Sequence, residues 1–386
     1  MHDVVDLRSD TLTLPTPEMR DAIARADVGD DVWEEDPTVK RLEAIAADRL
    51  GKEAGLLVTS GTQGNLVSVL SQTSAGQEVV LDLDSHVFNY EVAGAATLGG
   101  VQMRPVKTER GFLTPDQVRE SLRPANIHLP TTALVCVENT HNRHGGTCCT
   151  PEEIAAIAEV AHAAGASVHL DGARLFNAAV ALKRDAREFA RPVDSVTFCL
   201  SKGLAAPVGS LICGSTELIA RARRVRKMLG GGMRQAGIIA AAGIVALERM
   251  VDRLAEDHDN ARRLAEAVAQ TPRLSIDLSS VQTNIVIFSV DHPGGRDAAV
   301  KATEALVRGC AARKVKIHAM GPTSIRCVTH KDVDADDIDR TIAAIRELTA
   351  DWGPREARGR AGHGPQTPNA RSAPGNPGHS SVTPGG

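Results

Sequence analysis

The chain is poor in aromatic rings: its 386 residues hold two Trp, one Tyr and six Phe. A core of ordinary size must therefore be built from Ala, Val, Leu and Ile, and few rings are available to stack on a flat ligand. Cysteine supplies no framework either. The seven cysteines (Cys136, Cys148, Cys149, Cys199, Cys213, Cys310 and Cys327) are odd in number and form no C-x-x-C pair. Cys148 and Cys149 are adjacent, which suits neither a mutual disulfide nor a zinc knuckle. Free thiols in apolar runs behave as small hydrophobes, as expected in a reducing cytosol. The net charge of -4 argues against a general nucleic-acid binder. The first residues carry no basic stretch followed by an apolar one, so no signal peptide is expected. The most apolar helical stretch, near 238–247, meets Glu248 and Arg249 before it could span a bilayer. A cytoplasmic location without membrane contact is the expectation. No G-x-G-x-x-G and no G-x-x-x-x-G-K-[ST] occurs, which weakens dinucleotide and P-loop readings.

What is present is an alternation of strand and helix patterns. Apolar runs at 55–59, 78–83, 101–106, 132–137, 167–170, 195–200 and 209–213 read as strands, with helices between most of them. The pattern is clearest after Thr150-Pro151, an N-cap followed by Pro at the first helical position. Near-continuous apolar strands between helices imply an α/β fold with a mostly parallel, doubly covered sheet. Residues 1–15 read as an arm and 16–250 as a large domain. One long helical stretch, about 235–269, leads into a smaller α+β domain over 251–352. Residues 353–386, rich in Gly, Pro, Ser and Arg, cannot bury enough surface to offset their ordering entropy, and are expected to be a disordered tail.

Three strand ends carry the chemistry. The apolar run 195–200 leads into Ser201-Lys202-Gly203, and a lysine at the end of a core strand is costly without a role. An earlier strand ends in Asp171-Gly172-Ala173-Arg174; a buried carboxylate there needs a partner. Pyridoxal 5'-phosphate (PLP) calls for this combination: a lysine to bond its aldehyde and a carboxylate to keep its ring nitrogen protonated. As simpler readings, Asp171 is an N-cap and Lys202 a snorkelling surface lysine. Arg174 is open between pairing with Asp171 and facing an anionic substrate. At the third strand end, Ser60-Gly61-Thr62 opens a helix, where free N–H groups and the dipole favour an anion such as a phosphate; capping alone is an equally good explanation. His86, soon after another strand, is the candidate ring to cover the cofactor or move a proton. His141 and His144 are three apart in a Gly-rich loop with no evident third ligand, so no metal is expected. The basic run 221–227 reads as a solvated helix face.

Several stretches together resemble the low-specificity L-threonine aldolases, members of the fold-type I (aspartate-aminotransferase-like) group of PLP enzymes. They are Asp6-Leu7-Arg8-Ser9-Asp10-Thr11, Gly29-Asp30-Asp31-Val32, Ser60-Gly61-Thr62-Gln63, Glu138-Asn139-Thr140-His141-Asn142, His169-Leu170-Asp171-Gly172-Ala173-Arg174, Leu200-Ser201-Lys202-Gly203-Leu204 and 226–235. The resemblance covers about 4–350. It implies a PLP-dependent aldehyde-lyase that cleaves L-threonine, L-allo-threonine and related small β-hydroxy amino acids to glycine and an aldehyde. On this resemblance Lys202 carries the cofactor, Ser60, Gly61 and Thr62 hold its phosphate, Asp171 bonds its ring nitrogen and His86 covers the ring. Ser9, Arg174 and Arg326 grip the substrate carboxylate, with Tyr90 facing the substrate. His128, or His86, serves as base near the hydroxyl. Lys227 and Arg234 reach the phosphate of a neighbouring subunit in a homotetramer with sites at the dimer interface. Trp33-Glu34 departs from the Tyr-Gly usual in that family, and the Cys148-Cys149 loop is unusual. The alternatives on the same fold are another PLP lyase, a hydroxymethyl transferase, or a non-catalytic binding protein.

Overall fold

The computed structural model describes residues 3–353. Seven strands form the central sheet, in the order Ala54–Val58, Ser210–Gly214, Ser195–Cys199, Ser167–Asp171, Thr132–Glu138, Glu78–Asp82 and Gln102–Val106. Ser210–Gly214 runs antiparallel to both its neighbours; the remaining pairings are parallel. Glu78–Asp82, Ser195–Cys199 and Ser210–Gly214 are buried at every position, because helices cover both faces. Gln102–Val106 lies at the edge, where Pro105, lacking an N–H, is tolerated.

Local chemistry sets the helix starts. Thr150 caps Pro151–Ala163 with a full capping box to Glu153, as its sequence indicates. Asp36 caps Pro37–Leu50, and Gly51, in the left-handed region, ends that helix. The core around the sheet is Val, Leu, Ile and Ala, with few rings; Phe176 and Phe198 meet edge to face at 5.3 Å.

A second hydrophobic cluster gathers Leu264, Val268, Phe288, Leu306, Ile325 and Ile345 with Val5 and Leu7 of the arm. Four short strands form its sheet, and two residues of the arm, Val5–Asp6, pair in parallel with Val315–Lys316. The arm is thus stitched into the C-terminal cluster rather than lying free. The strands of this sheet include Ile285–Val290 and His318–Gly321. The helical stretch expected to be continuous over 235–269 is two helices, Gly237–Arg249 and Leu254–Ala269, separated by a turn at 250–253. Neither Gly nor Pro marks that break. Among the described residues no helix is long and apolar enough to cross a membrane. The expected tail lies, beyond Gly353, outside the described residues.

Candidate active site

Five strands end on the same edge of the sheet: Val58 leads to Ser60 and Gly61, Asp82 to His86, Glu138 to Asn142, Asp171 to Arg174, and Cys199 to Lys202. This carboxyl edge is where parallel sheets place ligands. A cavity of about 880 Å³ lies at the opposite edge, lined among others by Lys52, Gln72, Ser167 and Asp194; of the group described here it touches Gln72, the far end of the chain that leads to Asp171.

Asp171 is buried, and its position is fixed by a directional chain of hydrogen bonds. Gln72 Nε2 donates to Ser195 Oγ (2.8 Å), whose hydroxyl faces His169 Nδ1 (2.7 Å). Burial pushes His169 down to about 4, so its imidazole is neutral and Nε2–H donates to Asn65 Oδ1 (3.1 Å). That turns the Asn65 amide nitrogen toward the carboxylates, and it donates to both Asp171 Oδ2 and Glu91 Oε1 at 2.8 Å. Ala173 N–H donates to Asp171 Oδ1 (3.1 Å). Asp171 is therefore not the N-cap of Leu175–Leu182, where Arg174 holds that position without a side-chain bond; one of its oxygens takes the Ala173 N–H and the other joins a buried polar network.

His86 stands on this network. Its Nδ1 faces Glu91 Oε1 at 2.8 Å, and its ring lies 5.4 Å from that of Tyr90. His86, Glu91 and Asp171 present ligand atoms within 4.8 Å of one another. Burial alone would lower the His86 pKa, but the Glu91 hydrogen bond and the fields of Asp171, Glu91 and Glu138 outweigh it, and the net shift is upward. Burial raises Glu91, Asp171 adds to this, and His86 and Asn65 offset part of it. The backbone N–H of His86 donates to Glu138 Oε2 (2.7 Å), and Glu138 Oε1 accepts from Asn142 N–H (2.9 Å). Tyr90 is exposed along its ring, and its hydroxyl accepts from Arg143 Nη1 at 2.5 Å.

The arginines lie on the other side. Arg174 does not pair with Asp171. Its Nε and Nη2 donate to the two oxygens of Asp10 at 2.7 Å each, and both residues are buried. The two strand-end residues point apart, and the arm supplies the counter-charge. Burial would raise Asp10, yet the charge and hydrogen bonds of Arg174, the charge of Lys202 and a bond from Asn284 hold it well below the usual carboxylate range. Arg326 donates to Asn142 Oδ1 (2.8 Å) and to the Arg8 carbonyl (3.2 Å). Its pKa is lowered by burial and by Arg174, and its buried Nε has no hydrogen-bond partner. Ser9 Oγ accepts from Thr11 N–H (3.2 Å) as the cap of a short 3-10 turn. Lys202 is half-buried rather than fully buried, in the bend that follows Ser195–Cys199, the strand next to that of Asp171; Thr13 Oγ1 donates to its carbonyl (2.9 Å).

At the Gly61–Gln72 helix, Ser60 Oγ accepts from Gln63 N–H (3.1 Å), so its cap role is real. A Cβ on Gly61 would come within 2.8 Å of Cys199 Sγ, which explains glycine there. Thr62 is exposed at the helix mouth. An open helix N-terminus, a fixed carboxylate, a half-buried lysine and an arginine with an orphaned donor suit a flat, anionic, nitrogen-bearing cofactor with a carboxylate substrate beside it.

Three expected residues are not brought into this group. His128 is exposed, with its N–H donating to Asn126 Oδ1 (2.9 Å). Lys227 and Arg234 are exposed, and Arg234 pairs with Asp30 at 3.0 Å. Asp10, Asn65, Glu91, Glu138 and His169 belong to the site without having been singled out for it in the sequence. Asp10, Glu138 and His169 carried a signal, as members of matched motifs. Glu34, at the family's usual Gly, has φ 56 and is held by Arg223 at 3.1 Å.

All seven cysteines are free and buried. The chain matches the family model "Beta-eliminating lyase" over residues 6–291. It is 42% identical over 350 residues to a probable low-specificity L-threonine aldolase 2 of Arabidopsis thaliana, covering 89% of this chain and 97% of that one. It is 42% identical over 348 residues to the low specificity L-threonine aldolase of Escherichia coli K12, covering 90% and 100%. Among solved structures, a Leishmania major threonine aldolase superposes with a TM-score of 0.76 at 18% identity, covering 89% of this chain and 99% of that one, so the fold is shared. The chain belongs to the beta-eliminating lyase family and, within it, to the low-specificity L-threonine aldolases.

Proposed function

We propose that this protein cleaves L-threonine, L-allo-threonine and related β-hydroxy amino acids to glycine and an aldehyde, using PLP. The observation that carries this reading is the convergence on one sheet edge of Asp171, held by Asn65, with His86, Lys202 and the Arg174–Asp10 and Arg326 pair of cations. Lys202 would bond the cofactor, Asp171 would face its ring nitrogen, His86 would cover the ring, and Ser60, Gly61 and Thr62 would hold the phosphate. When bound, PLP supplies an electron sink for the pair left on Cα as the Cα–Cβ bond breaks.

The chain's own residues do the rest. Arg326, with its free Nε, and Arg174, oriented by Asp10, bind the substrate carboxylate together with Ser9 and so set which bond at Cα stands ready to break. His86 takes the β-hydroxyl proton; its acidic neighbours stabilise the imidazolium that results. His128 reaches the hydroxyl only if a neighbouring chain delivers it, since within its own chain it is exposed. The same holds for Lys227 and Arg234, whose exposure supports a site completed across the dimer interface of a homotetramer. Buried free thiols support a reducing, cytoplasmic setting.

The test is incubation with L-threonine. Acetaldehyde and glycine in equal amounts are expected, and Lys202→Ala should lose both turnover and the visible absorption of bound cofactor. Formation of 2-oxobutyrate and ammonia instead would assign the chain to elimination, and an active Lys202→Ala protein would refute the role of that lysine.

A further inference from the structure

Beside the site, and outside every role assigned above, lies a second polar cluster. Asp82, His141 and His144 present one carboxylate oxygen and two imidazole nitrogens within 4.8 Å of one another. The sequence offered only the two histidines; the fold brings the third ligand from the end of Glu78–Asp82, which lies next to the strand that precedes His141. His141 is fully buried, yet neither of its ring nitrogens completes a hydrogen bond. Its Nε2 lies 3.1 Å from Asp82 Oδ2, and the two rings meet edge to face with centroids 4.8 Å apart. Two ligand atoms on one tetrahedral zinc ion, each bonded at about 2.0–2.1 Å, are separated by about 3.3 Å, so the His141–Asp82 pair already has the spacing of co-ligands.

The surroundings are built to hold these groups. Asp82 Oδ1 accepts from Thr108 Oγ1 (2.6 Å) and Oδ2 from Asp84 N–H (2.7 Å), which fixes the carboxylate as outer partners of metal ligands do. Gly111, at φ +92, leaves room for the His141 ring: a Cβ there would lie 2.4 Å from Cγ of His141. The local charge is acidic. Asp84 lies 3.5 Å from His144 Nε2, and Glu138 Oε2 lies 3.8 Å from His141 Nε2, while Arg143 meets Asp84 at 3.4 Å.

We infer that Asp82, His141 and His144 form a binding site for a divalent transition-metal ion, zinc by its mixed nitrogen and oxygen ligands, with a fourth position open to water. Two imidazoles and a carboxylate with one open place is a ligand set that zinc commonly takes. The ion would sit one carboxylate away from His86, through Glu138, and act by holding that loop in place rather than on the substrate.

The experiment uses the PLP-loaded full chain, freed of metal with a chelator, and Co2+ alone as probe. The wild type is expected to bind Co2+ saturably at one per chain, with intensified visible bands of low-symmetry nitrogen and oxygen ligation. His144→Ala, at a half-buried position that should fold normally, is expected to weaken binding tenfold or more; Asp82→Asn should do the same where it folds. A wild type that takes up no Co2+ would overturn the proposal. So would unchanged binding by His144→Ala, or a thiolate charge-transfer band placing the ion on cysteine.

Discussion

Replacing Asp10 by Asn tests the arrangement from its most buried charge. Asp10 has no exposure, and Arg174, 6% exposed, reaches both its oxygens at 2.7 Å. Asn keeps the shape but offers one acceptor where Arg174 presents two donors, and it leaves the guanidinium charge buried without a counter-ion. Removing one partner of a buried pair costs about 3–5 kcal/mol. Asn retains one of the two bonds, so a loss near the lower end, about 3 kcal/mol, is expected. For a chain of this size that corresponds to a fall in melting temperature on the order of 5 °C. With Arg174 in its proposed role of binding the substrate carboxylate as Asp10 aims it, kcat/KM should fall about tenfold or more, mainly through KM.

The pH dependence separates this cause from a general packing defect. The folded pKa of Asp10 is depressed, so its contribution is complete above the unfolded value near 3.8 and is lost as pH falls toward the folded value. The stability gap between wild type and Asp10→Asn should be full at pH 7 and close progressively below about pH 4. Thermal unfolding followed by circular dichroism across this range measures it. A variant as stable as the wild type at pH 7, or a gap that does not change with pH, would refute the reasoning.

Two other outcomes are expected. Glu91→Gln removes the carboxylate 2.8 Å from His86 Nδ1, so the His86 pKa should fall in an NMR titration of its ring, and the acid limb of the rate profile should move to lower pH with it. In the wild type the raised pKa contributes stability that is complete below about pH 6.5 and fades as pH rises through the folded value, so the variant loses most at low pH. Lys202→Ala and Arg234→Ala proteins, each inactive alone, should recover roughly a quarter of wild-type activity when mixed and reassembled, because half the dimers are mixed and one of their two sites is intact; no recovery would place each site within one chain.

The sheet and most of its strands were legible because buried parallel strands are continuous apolar runs, and Asp171, Arg174 and Lys202 stood out as polar residues at the ends of such runs. What pairs with what was not legible. Asp10 meets Arg174 across 164 residues because Val5–Asp6 is stitched to Val315–Lys316, a two-residue pairing too short to leave a pattern. Asn65 and His169 read as ordinary polar residues of a helix and a strand; only their stacking across the sheet shows that one orients the other. The break at 250–253 is marked by neither Gly nor Pro, and composition over 235–269 is helical throughout. Metal ligands were dismissed for want of a third group, which sequence spacing could not supply because it comes from the neighbouring strand.

Glu138, at the end of the strand that leads to His141, joins the two clusters. One of its oxygens holds the backbone of His86 and lies 3.8 Å from His141; the other holds the backbone of Asn142, whose side chain accepts from Arg326. A single buried carboxylate therefore ties His86 and, through Asn142, Arg326 to the loop that carries His141 and His144. Rigid placement of that loop fixes the two groups proposed to act on opposite ends of one small substrate. Glu138 cannot shift toward His141 without releasing either His86 or Asn142. The proposed cation at the histidines would offset the acidic groups Asp82, Asp84 and Glu138, which Arg143 meets only at Asp84, and would leave Glu138 free to hold both backbones.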